Sequence, residues 1–236
     1  MNHQITPIGF VESCFKEKFG VPRQPGLVSQ APATLHFYPP YDQDIAFAGL
    51  EAFSHLWIMF LFHLNRDEQW RPLVRPPRLG GNEKRGVFST RSPYHPNAIG
   101  LSVVEIVSIE TTDHSCRIQI KNADLVHGTP IVDIKPYLPY VDAIPNAHSG
   151  FAPSAPASKM AVHFSPPALE QCLQKSLQHR CDVRQLIQQI LETDPRPAYK
   201  QNIAEDKIYG MRLFDFDVRW QASHDHIDVL QLDQAE

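Results

Sequence analysis

The stretch from His55 to Leu64, HLWIMFLFHL, constrains the fold of this chain more than any other segment. Apolar side chains stand at consecutive positions, so a strand built from it needs both of its faces buried. The longest unbroken apolar run, Leu56–Phe62, has seven residues, and a membrane-spanning helix needs about 20. The pattern therefore predicts a central strand paired on both sides, in a protein without a membrane span.

Shorter strand patterns surround this segment. In Cys116–Lys121, apolar and polar side chains alternate with the period of a half-buried strand. Further strands are predicted at Ile5–Val11, Ala33–Tyr38, Leu101–Ile109 and Ile131–Ile134. Many short strands without a long helical pattern predict a mainly β domain, a small barrel or sandwich, over residues 1–143.

The pattern changes in the last third of the chain. Residues 144–164 are rich in Pro, Ala and Ser and are predicted to form a linker or wrapping loop. Residues 165–236 are predicted to form a small α+β domain. Ser165 should cap a first helix, and Asp182 should begin a second one that ends at Asp194-Pro195. The residues expected on one face of the first helix are Leu169, Cys172, Leu173 and Leu177.

A final pair of strands is predicted after the helices. Phe214, Phe216, Val218 and Trp220 alternate with polar residues, and a turn at Ser223–His226 leads to a second strand with Ile227 and Val229.

Composition narrows the environment of the protein. Apolar residues make up 42 % of the chain, enough for a core, and the net charge is −4. The N-terminus lacks a signal-peptide pattern, so a soluble, cytoplasmic protein is expected. No C-x-x-C pair occurs, so the four cysteines are predicted to be small buried residues in a reducing compartment.

Common catalytic fingerprints are absent from the sequence. No G-x-G-x-x-G follows a strand, and there is no P-loop, H-E-x-x-H or G-x-S-x-G. What remains are four polar loops rich in Pro or Gly: VPRQPG (21–26), RPPRLGGN (75–82), GVFSTRSPYHPNAIGL (86–101) and DLVHGTPIVDIKPY (124–137). Such loops often carry binding sites, although they also serve as tight connections between strands.

These loops, together with GLEAFSHLWIMFLFH, DPRPAY and DFDVRW, resemble the TsaA/TrmO-like family of tRNA N6-threonylcarbamoyladenosine N6-methyltransferases. The resemblance covers nearly the whole chain. It implies a small non-Rossmann β-barrel that binds S-adenosylmethionine, followed by the α+β domain, in a homodimer. The implied reaction methylates N6 of threonylcarbamoyladenosine beside the anticodon of threonine tRNA. The chain departs from the family pattern at His95, Ala98 and His127, where the family usually has Arg, Pro and Asp.

The resemblance also implies a set of cofactor residues. Arg23 and Gln24 suit a carboxylate or an adenine edge, and Arg91 suits the methionine carboxylate or a phosphate, with a structural salt bridge as its alternative. Leu101 would pack on the adenine or simply belong to the core. The full set is Pro22, Arg23, Gln24, Phe62, His63, Arg91, Leu101, Asp124, Leu125, His127, Gly128 and Thr129.

The catalytic residues proposed from the motifs are Asn97, Asp133 and Tyr137. Methyl transfer is an in-line displacement in which positioning matters most, because the sulfonium already activates the methyl group. The substrate N6 must lose a proton, which Asp133 could accept. The alternative for Asp133 is a loop-fixing carboxylate paired with Lys135.

A basic stretch in this acidic protein indicates where RNA would bind. Residues 66–91 carry seven basic and three acidic side chains, a net +4, which leaves −8 on the rest of the chain. Trp70 could stack on an anticodon-loop base, and a solvated loop is the alternative. The predicted phosphate contacts are Arg71, Arg75, Arg78, Lys84, Arg85 and Lys135.

Two histidines invite a metal interpretation that the sequence does not complete. His55 and His63 would share a face of one strand, but no third or fourth ligand can be placed beside them. We therefore expect no metal, with His63 in the cofactor pocket and His55 structural. Two further hypotheses stay open: a non-catalytic barrel that binds RNA or a nucleotide, and a metal-dependent hydrolase that uses some of the 12 histidines.

Overall fold

The computed structural model describes residues 4–65, 70–112, 115–154, 160–197, 200, 203 and 206–235. The chain forms two compact units that are not continuous in sequence. The barrel unit comprises Met1–Glu12, Ala33–Lys121 and His127–Pro153, and the C-terminal unit comprises Ser13–Pro32, Asn122–Val126 and Ser154–Glu236. The predicted limits at residues 143 and 164 stay a prediction.

A closed six-stranded barrel forms the first unit, in the order β1-β2-β7-β6-β3-β8. A separate two-stranded ribbon, β4-β5, and a short helix, α1 (Pro139–Asp142), accompany it. The strands are β1 (Gly9–Ser13), β2 (Ala33–Phe37), β3 (His55–Leu61), β4 (Leu73–Val74), β5 (Arg85–Gly86), β6 (Ile99–Thr112), β7 (Ser115–Lys121) and β8 (Thr129–Pro136). The mainly β barrel predicted for this region is confirmed.

β3 is paired on both edges, as the sequence predicts, but the prediction that both of its faces are buried is wrong. It pairs antiparallel with β6 along its whole length and with β8 on its other edge. Leu56, Ile58 and Phe60 point into the barrel and are buried, while the alternate residues are only half-buried. Gly100 lies opposite Phe60, and a Cβ at that position would clash with the ring, so glycine makes room for the aromatic side chain.

Several predicted strand boundaries differ from those in the structure, and two of the differences have a clear physical reason. β1 begins at Gly9 rather than Ile5, because Pro7 has no backbone N–H to contribute to a ladder. β3 ends at Leu61, because Ala98 opposite Phe62 has a left-handed backbone conformation (φ 44°) and a 3-10 turn, His63–Asn65, follows. The last bond in register with β6 runs from the Phe62 N–H to the Ala98 carbonyl at 2.9 Å. His63 therefore does not share a strand face with His55, as the sequence had suggested.

The C-terminal unit contains one sheet, in the order β10-β11-β12-β9, with two helices. The strands are β9 (Ala161–Phe164), β10 (Ile208–Leu213), β11 (Phe216–Ala222) and β12 (His226–Gln234), and the helices are α2 (Pro166–His179) and α3 (Val183–Glu192). Both predicted caps are confirmed: the Ser165 and Asp182 side chains accept from the N–H groups of Ala168 and Gln185. No helix among the described residues is long and apolar enough to cross a membrane.

The C-terminal sheet has four strands, two more than the final pair that the sequence predicts. β9 lies inside the predicted linker and pairs parallel with β12, and β10 was not anticipated. Phe214 is not part of the alternating strand, because it occupies a left-handed turn position (φ 47°) between β10 and β11. Four residues of apolar alternation, as in β9, are too few to distinguish a strand from a linker.

The leucine stripe on α2 faces solvent. Leu169, Leu173 and Leu177 do share a face, but Leu173 and Leu177 are 70 % and 85 % exposed. Ala168 and Cys172 make the buried contacts instead. Periodicity identifies a face of a helix, whereas the neighbouring sheet determines which face is covered.

The core of the C-terminal unit extends to residues from the start of the chain. Phe15 and Val28 are buried in the same cluster as Ile187 and Trp220. Burial raises the pKa of the Cys14 thiol to about 12 and that of Cys116, in the barrel, to about 11. These thiols stay protonated at neutral pH, in keeping with the structural role predicted for the cysteines.

The DPRPAY motif holds a buried ion pair. Arg196 is fully buried and donates from Nε and NH2 to both carboxylate oxygens of Asp194, each at 2.8 Å, and from NH1 to the Ile203 carbonyl at 2.8 Å. The bidentate geometry satisfies the charges of both side chains in a site without water access.

Replacing Arg196 with Met should lower the free energy of unfolding by about 3–5 kcal/mol, because Asp194 would keep a buried charge without a partner. Chemical denaturation followed by circular dichroism measures the change. Arg212→Met is the control, since its ion pair with Asp217 is partly exposed (3.0 Å) and should contribute below about 1 kcal/mol. Equal losses in the two variants would contradict the role given to the buried pair.

Candidate functional site

A cavity of about 260 Å³ opens where β3 ends, entirely within the barrel unit. One wall is the chain that leaves β3, and the opposite wall is the loop that leads into β6. Three of the proposed cofactor and catalytic residues, Phe62, His63 and Asn97, line it. The complete lining is Leu61, Phe62, His63, Asn65, Trp70, Pro93, His95, Pro96, Asn97 and Ala98.

Backbone hydrogen bonds hold the two walls together. The Phe62 N–H donates to the Ala98 carbonyl, and the Ala98 N–H donates to the His95 carbonyl at 3.1 Å. The Phe62 ring packs edge-on against Phe60, with centroids 5.0 Å apart, so the barrel interior continues into the cavity wall.

Two of the positions where the chain departs from the family pattern lie in this wall. The His95 Nε2 lies 3.0 Å from the Thr90 carbonyl, and its ring packs edge-on against Phe88. Ala98 adopts a left-handed conformation, φ 44°, which the ring of a proline excludes. Alanine at position 98 is therefore compatible with a loop shape that proline would forbid.

The outward face of the barrel continues from the cavity. Leu61 pairs with Ile99, and two positions earlier Met59 lies between Leu101 on β6 and Asp133 on β8. Leu101 is 55 % exposed, so the alternative that it belongs to the core is wrong. An apolar side chain and a carboxylate thus lie about 7 Å along the strands from the cavity mouth.

Asp133 is already engaged by its neighbours. Its Oδ2 lies 2.9 Å from Lys135 Nζ, and its Oδ1 accepts from the Ile134 N–H at 2.9 Å. The pairing with Lys135 considered from the sequence is therefore present, in place of the open phosphate contact proposed for Lys135. The Lys135 side chain is 64 % exposed, and such a surface pair is weak enough to open.

Tyr137 lies far from Asn97 in the structure. Its N–H donates to the carbonyl of His55, at the opposite end of β3 from the cavity. Leu61 lies six residue steps along β3 from His55, a span of about 20 Å. A single reacting centre containing both Asn97 and Tyr137 of one chain is therefore wrong.

Five of the proposed cofactor residues belong to the C-terminal unit. Pro22, Arg23 and Gln24 lie on the loop that follows β1, with Arg23 and Gln24 exposed. Asp124 is half-buried, and Leu125 is buried in the same segment. The Leu125 side chain is thus occupied in packing, which leaves its backbone groups for any ligand.

The remaining cofactor residues lie in the barrel unit. Gly128 has φ 78°, a turn conformation suited to glycine, and its N–H donates to the Val11 carbonyl at 2.8 Å. Thr129 is buried as the first residue of β8, while His127 and Arg91 are exposed. Their proposed roles toward the cofactor stay predictions.

The basic segment is organised by the ribbon β4-β5, in which Leu73 pairs with Gly86 and Val74 with Arg85. Arg66, Asp67 and Glu68 lie outside the described residues. The described part, residues 70–91 (hereafter the basic ribbon), has six basic side chains and one acidic one, a net charge of +5. Arg75, Arg78 and Lys84 are exposed, and Arg85 pairs with Glu83 at 2.5 Å.

The basic ribbon meets the cavity at its first residues. Trp70 lines the cavity and is 53 % exposed. The Arg71 guanidinium lies over the Tyr94 ring, 4.8 Å from its centroid, and its backbone N–H donates to the Tyr94 carbonyl. An aromatic side chain therefore lines the pocket at the start of a basic segment, an arrangement suited to a base and its phosphates.

Sequence reasoning missed part of the lining. Pro93 and Pro96 lie within a segment that was identified as unusual, and their spacing around Tyr94 and His95 could have marked them as wall residues. Asn65 gave no signal, because its position depends on where β3 ends. A second cavity, of about 330 Å³ beside Ile134 and Pro136, contains Lys135 but none of the proposed cofactor residues.

Comparison with known proteins agrees with this arrangement. Residues 10–143 match the family model for the tRNA-methyltransferase O N-terminal domain, and residues 157–235 match that for the TrmO C-terminal domain. A tRNA (adenine(37)-N6)-methyltransferase of Escherichia coli K12 is 48 % identical over 98 % of this chain and 97 % of its own length. A putative S-adenosylmethionine-dependent methyltransferase, RcsF, of Pseudomonas aeruginosa is 47 % identical over 93 % of both chains.

A solved structure gives the same result for the fold. The crystal structure of TrmO from P. aeruginosa superposes with a TM-score of 0.83 at 40 % identity, covering 99 % of this chain and 98 % of that one. The barrel, its pocket and its basic ribbon define a methyltransferase of the non-Rossmann, β-barrel class. The chain belongs to the TrmO family.

Changing Ala98 should report on the shape of the pocket wall. Ala98→Gly relieves the left-handed strain and should change the free energy of unfolding by less than about 1 kcal/mol. Ala98→Pro cannot adopt the observed φ, so it should weaken S-adenosylmethionine binding and lower the melting temperature. Calorimetric titration and thermal melts measure both effects. Unaltered binding and stability in Ala98→Pro would show that the loop has a different shape.

Proposed function

We propose that this chain is an S-adenosylmethionine-dependent methyltransferase that methylates N6 of threonylcarbamoyladenosine 37 in threonine tRNA. One observation carries the proposal: the cavity at the end of β3 is bordered by exposed Trp70 and by the basic ribbon. An aromatic side chain at the pocket can stack on a base, and the net charge of +5 on the adjoining basic ribbon can attract the phosphates of a folded RNA. The relatives' names supply the nature of the reaction.

The residues present fit the cofactor in part. Exposed Leu101 offers an apolar surface for adenine, and the guanidinium of Arg91 suits a carboxylate. The cavity volume of about 260 Å³ falls below the roughly 300–1,000 Å³ of sites that enclose a whole small molecule. We infer that the cavity holds one part of the bound molecules, while the open barrel face and a second copy of the chain in a homodimer complete the site.

The chemistry requires positioning and one proton acceptor. Bound S-adenosylmethionine supplies an activated methyl group on a positively charged sulfur. The protein's task is to hold the nucleophilic nitrogen in line with that methyl group, and to receive the proton that N6 loses. Among the described residues of β3, β6 and β8, Asp133 is the carboxylate nearest to the cavity mouth by strand register, and opening of the Lys135 pair would free one oxygen as the base.

The contacts of Asp133 with Lys135 and the Ile134 N–H also favour a second candidate function, a barrel that does not catalyse a reaction. Since both carboxylate oxygens are occupied by Lys135 and the Ile134 N–H, a barrel that binds the same nucleotide without turnover has a specific basis. We place either protein in the cytoplasm, where tRNA is modified.

Methyl transfer in vitro separates the two candidates. The purified chain, S-adenosylmethionine and threonine tRNA bearing the threonylcarbamoyl group should yield a nucleoside heavier by one methyl group, as measured by mass spectrometry. Asp133→Asn should slow the single-turnover rate by about 10²-fold or more, the range for loss of a general base. Glu51→Gln, an exposed barrel carboxylate, is the control. Binding of both molecules without any methylated product would support the non-catalytic candidate.

Two arginines should affect different ligands. Arg91→Ala should weaken S-adenosylmethionine binding, measured by calorimetry. Arg75→Ala should weaken tRNA binding and reduce the slope of log affinity against log salt by about 1, because one phosphate contact is lost. Lys121→Ala, an exposed cation at the end of β7, is the control for the tRNA titration. If both arginine variants changed only thermal stability, the assignment of the two surfaces would be refuted.

A further inference from the structure

Three potential metal ligands converge on the solvent-facing side of the C-terminal sheet. His163 on β9 lies directly opposite Asp228 on β12, and His226 stands two residues before Asp228 on the same face. Because Ile227 and Val229 point into the core, the intervening side chains must point outward. One ligand atom from each of the three residues lies within 4.8 Å of the other two.

The individual distances match those expected around a metal ion. His226 Nε2 lies 3.2 Å from Asp228 Oδ2, and His163 Nδ1 lies 3.6 Å from Asp228 Oδ1. Two ligands of a tetrahedral zinc ion, with bonds of about 2.0–2.2 Å, stand about 3.3–3.6 Å apart. The two histidine nitrogens lie beside different oxygens of the same carboxylate, so the three side chains are close enough to share one ion.

A fourth residue orients one of the histidines. His226 Nδ1 lies 2.8 Å from Asp225 Oδ1, so this carboxylate can accept from Nδ1, and Nε2, which faces Asp228, is the nitrogen that would bind a metal ion after losing its proton. Metal-binding histidines commonly donate their second ring N–H to a carboxylate in this way. His163 is 63 % exposed at its side chain, so an ion could enter directly from solvent.

We propose that His163, His226 and Asp228 form a binding site for a borderline divalent transition metal, with Zn²⁺ as the representative ion and water completing the coordination. Two imidazoles and one carboxylate favour Zn²⁺, Ni²⁺ or Cu²⁺ over Mg²⁺ or Ca²⁺. This proposal departs from the sequence analysis, which expects no metal and considers only His55 and His63 as ligands. The site lies wholly in the C-terminal unit, and none of its three ligands is among the residues proposed for methyl transfer.

A metal ion bound at this site would link an edge strand to the rest of its sheet. β9 has four residues and pairs with one neighbour, β12. An ion shared between His163 and the two β12 residues joins the edge strand to the interior of the sheet. Binding to the folded state alone stabilises it in proportion to the logarithm of metal concentration above Kd.

Calorimetric titration of the chelator-treated full-length chain with ZnCl₂ tests the proposal. The unaltered chain should bind one Zn²⁺, and Asp225→Asn should weaken the affinity by about 10- to 100-fold. His163→Ala and Asp228→Asn should weaken it further. His148→Ala, an exposed histidine of the barrel unit, should bind as the unaltered chain does. Absence of saturable binding, or equal affinity in His163→Ala, would overturn the proposal.

Thermal melts give a second reading that does not depend on enzymatic activity. Zn²⁺ should raise the melting temperature of the unaltered chain and of His148→Ala, and leave that of His163→Ala unchanged. Circular dichroism without metal checks that the variants are folded. An equal rise in His163→Ala would locate the bound zinc elsewhere and overturn the proposal. If His163→Ala failed to fold, the Co²⁺ absorption spectrum of Asp228→Asn, expected to lose the intensity of the unaltered chain, would decide.

Discussion

The hydrogen bonding of β3 to β6 on one edge and to β8 on the other is the constraint on which the barrel and its pocket depend. A strand with both edges paired can bury Leu56, Ile58 and Phe60 without leaving a backbone group unsatisfied. The pocket begins where this pairing ends. After Leu61 one more bond in register, from the Phe62 N–H to the Ala98 carbonyl, joins the two segments, and beyond it they form opposite walls of a cavity.

The same register places the chemical groups. Asp133 and Leu101 flank Met59, one pair of residues from the cavity mouth, whereas Tyr137 lies beside His55 at the far end. Because strands are stiff and advance about 3.3 Å per residue, these separations cannot be changed by side-chain rotation. The register therefore retains Asp133 as the candidate base and removes Tyr137 from the reacting centre.

The basic side chains of this acidic protein are also concentrated in one local segment. The chain is acidic overall, yet its basic ribbon carries +5 over 22 residues and begins at the cavity with Trp70 and Arg71. At physiological ionic strength charges act over about 8 Å, so an RNA phosphate near the ribbon responds to that ribbon and little to the distant acidic surface. A negative net charge is thus compatible with an RNA substrate.

Local patterns in the sequence predicted much of this architecture, where the controlling interactions are themselves local. Ser165 and Asp182 were identified as caps because a cap requires only residues within one helical turn. The alternation in Cys116–Lys121 and the apolar run of β3 likewise identified strands. Errors arose where a distant partner decides: the leucines of α2 share a face but are exposed, and Ala161–Phe164 becomes a strand only because β12 lies beside it.

For the site, the sequence by itself determined which loops are unusual, that the Rossmann fingerprint is missing, and that the chain resembles one methyltransferase family over nearly its whole length. Tertiary structure alone decided which of those residues meet. Phe62, His63 and Asn97 share a cavity, while His163 faces Asp228 across 65 residues of sequence. The physical reason is that the sequence gives the identity of each side chain but not its neighbours in space. Strand register and closure of the barrel determine those neighbours, and both depend on the packing of all the elements together.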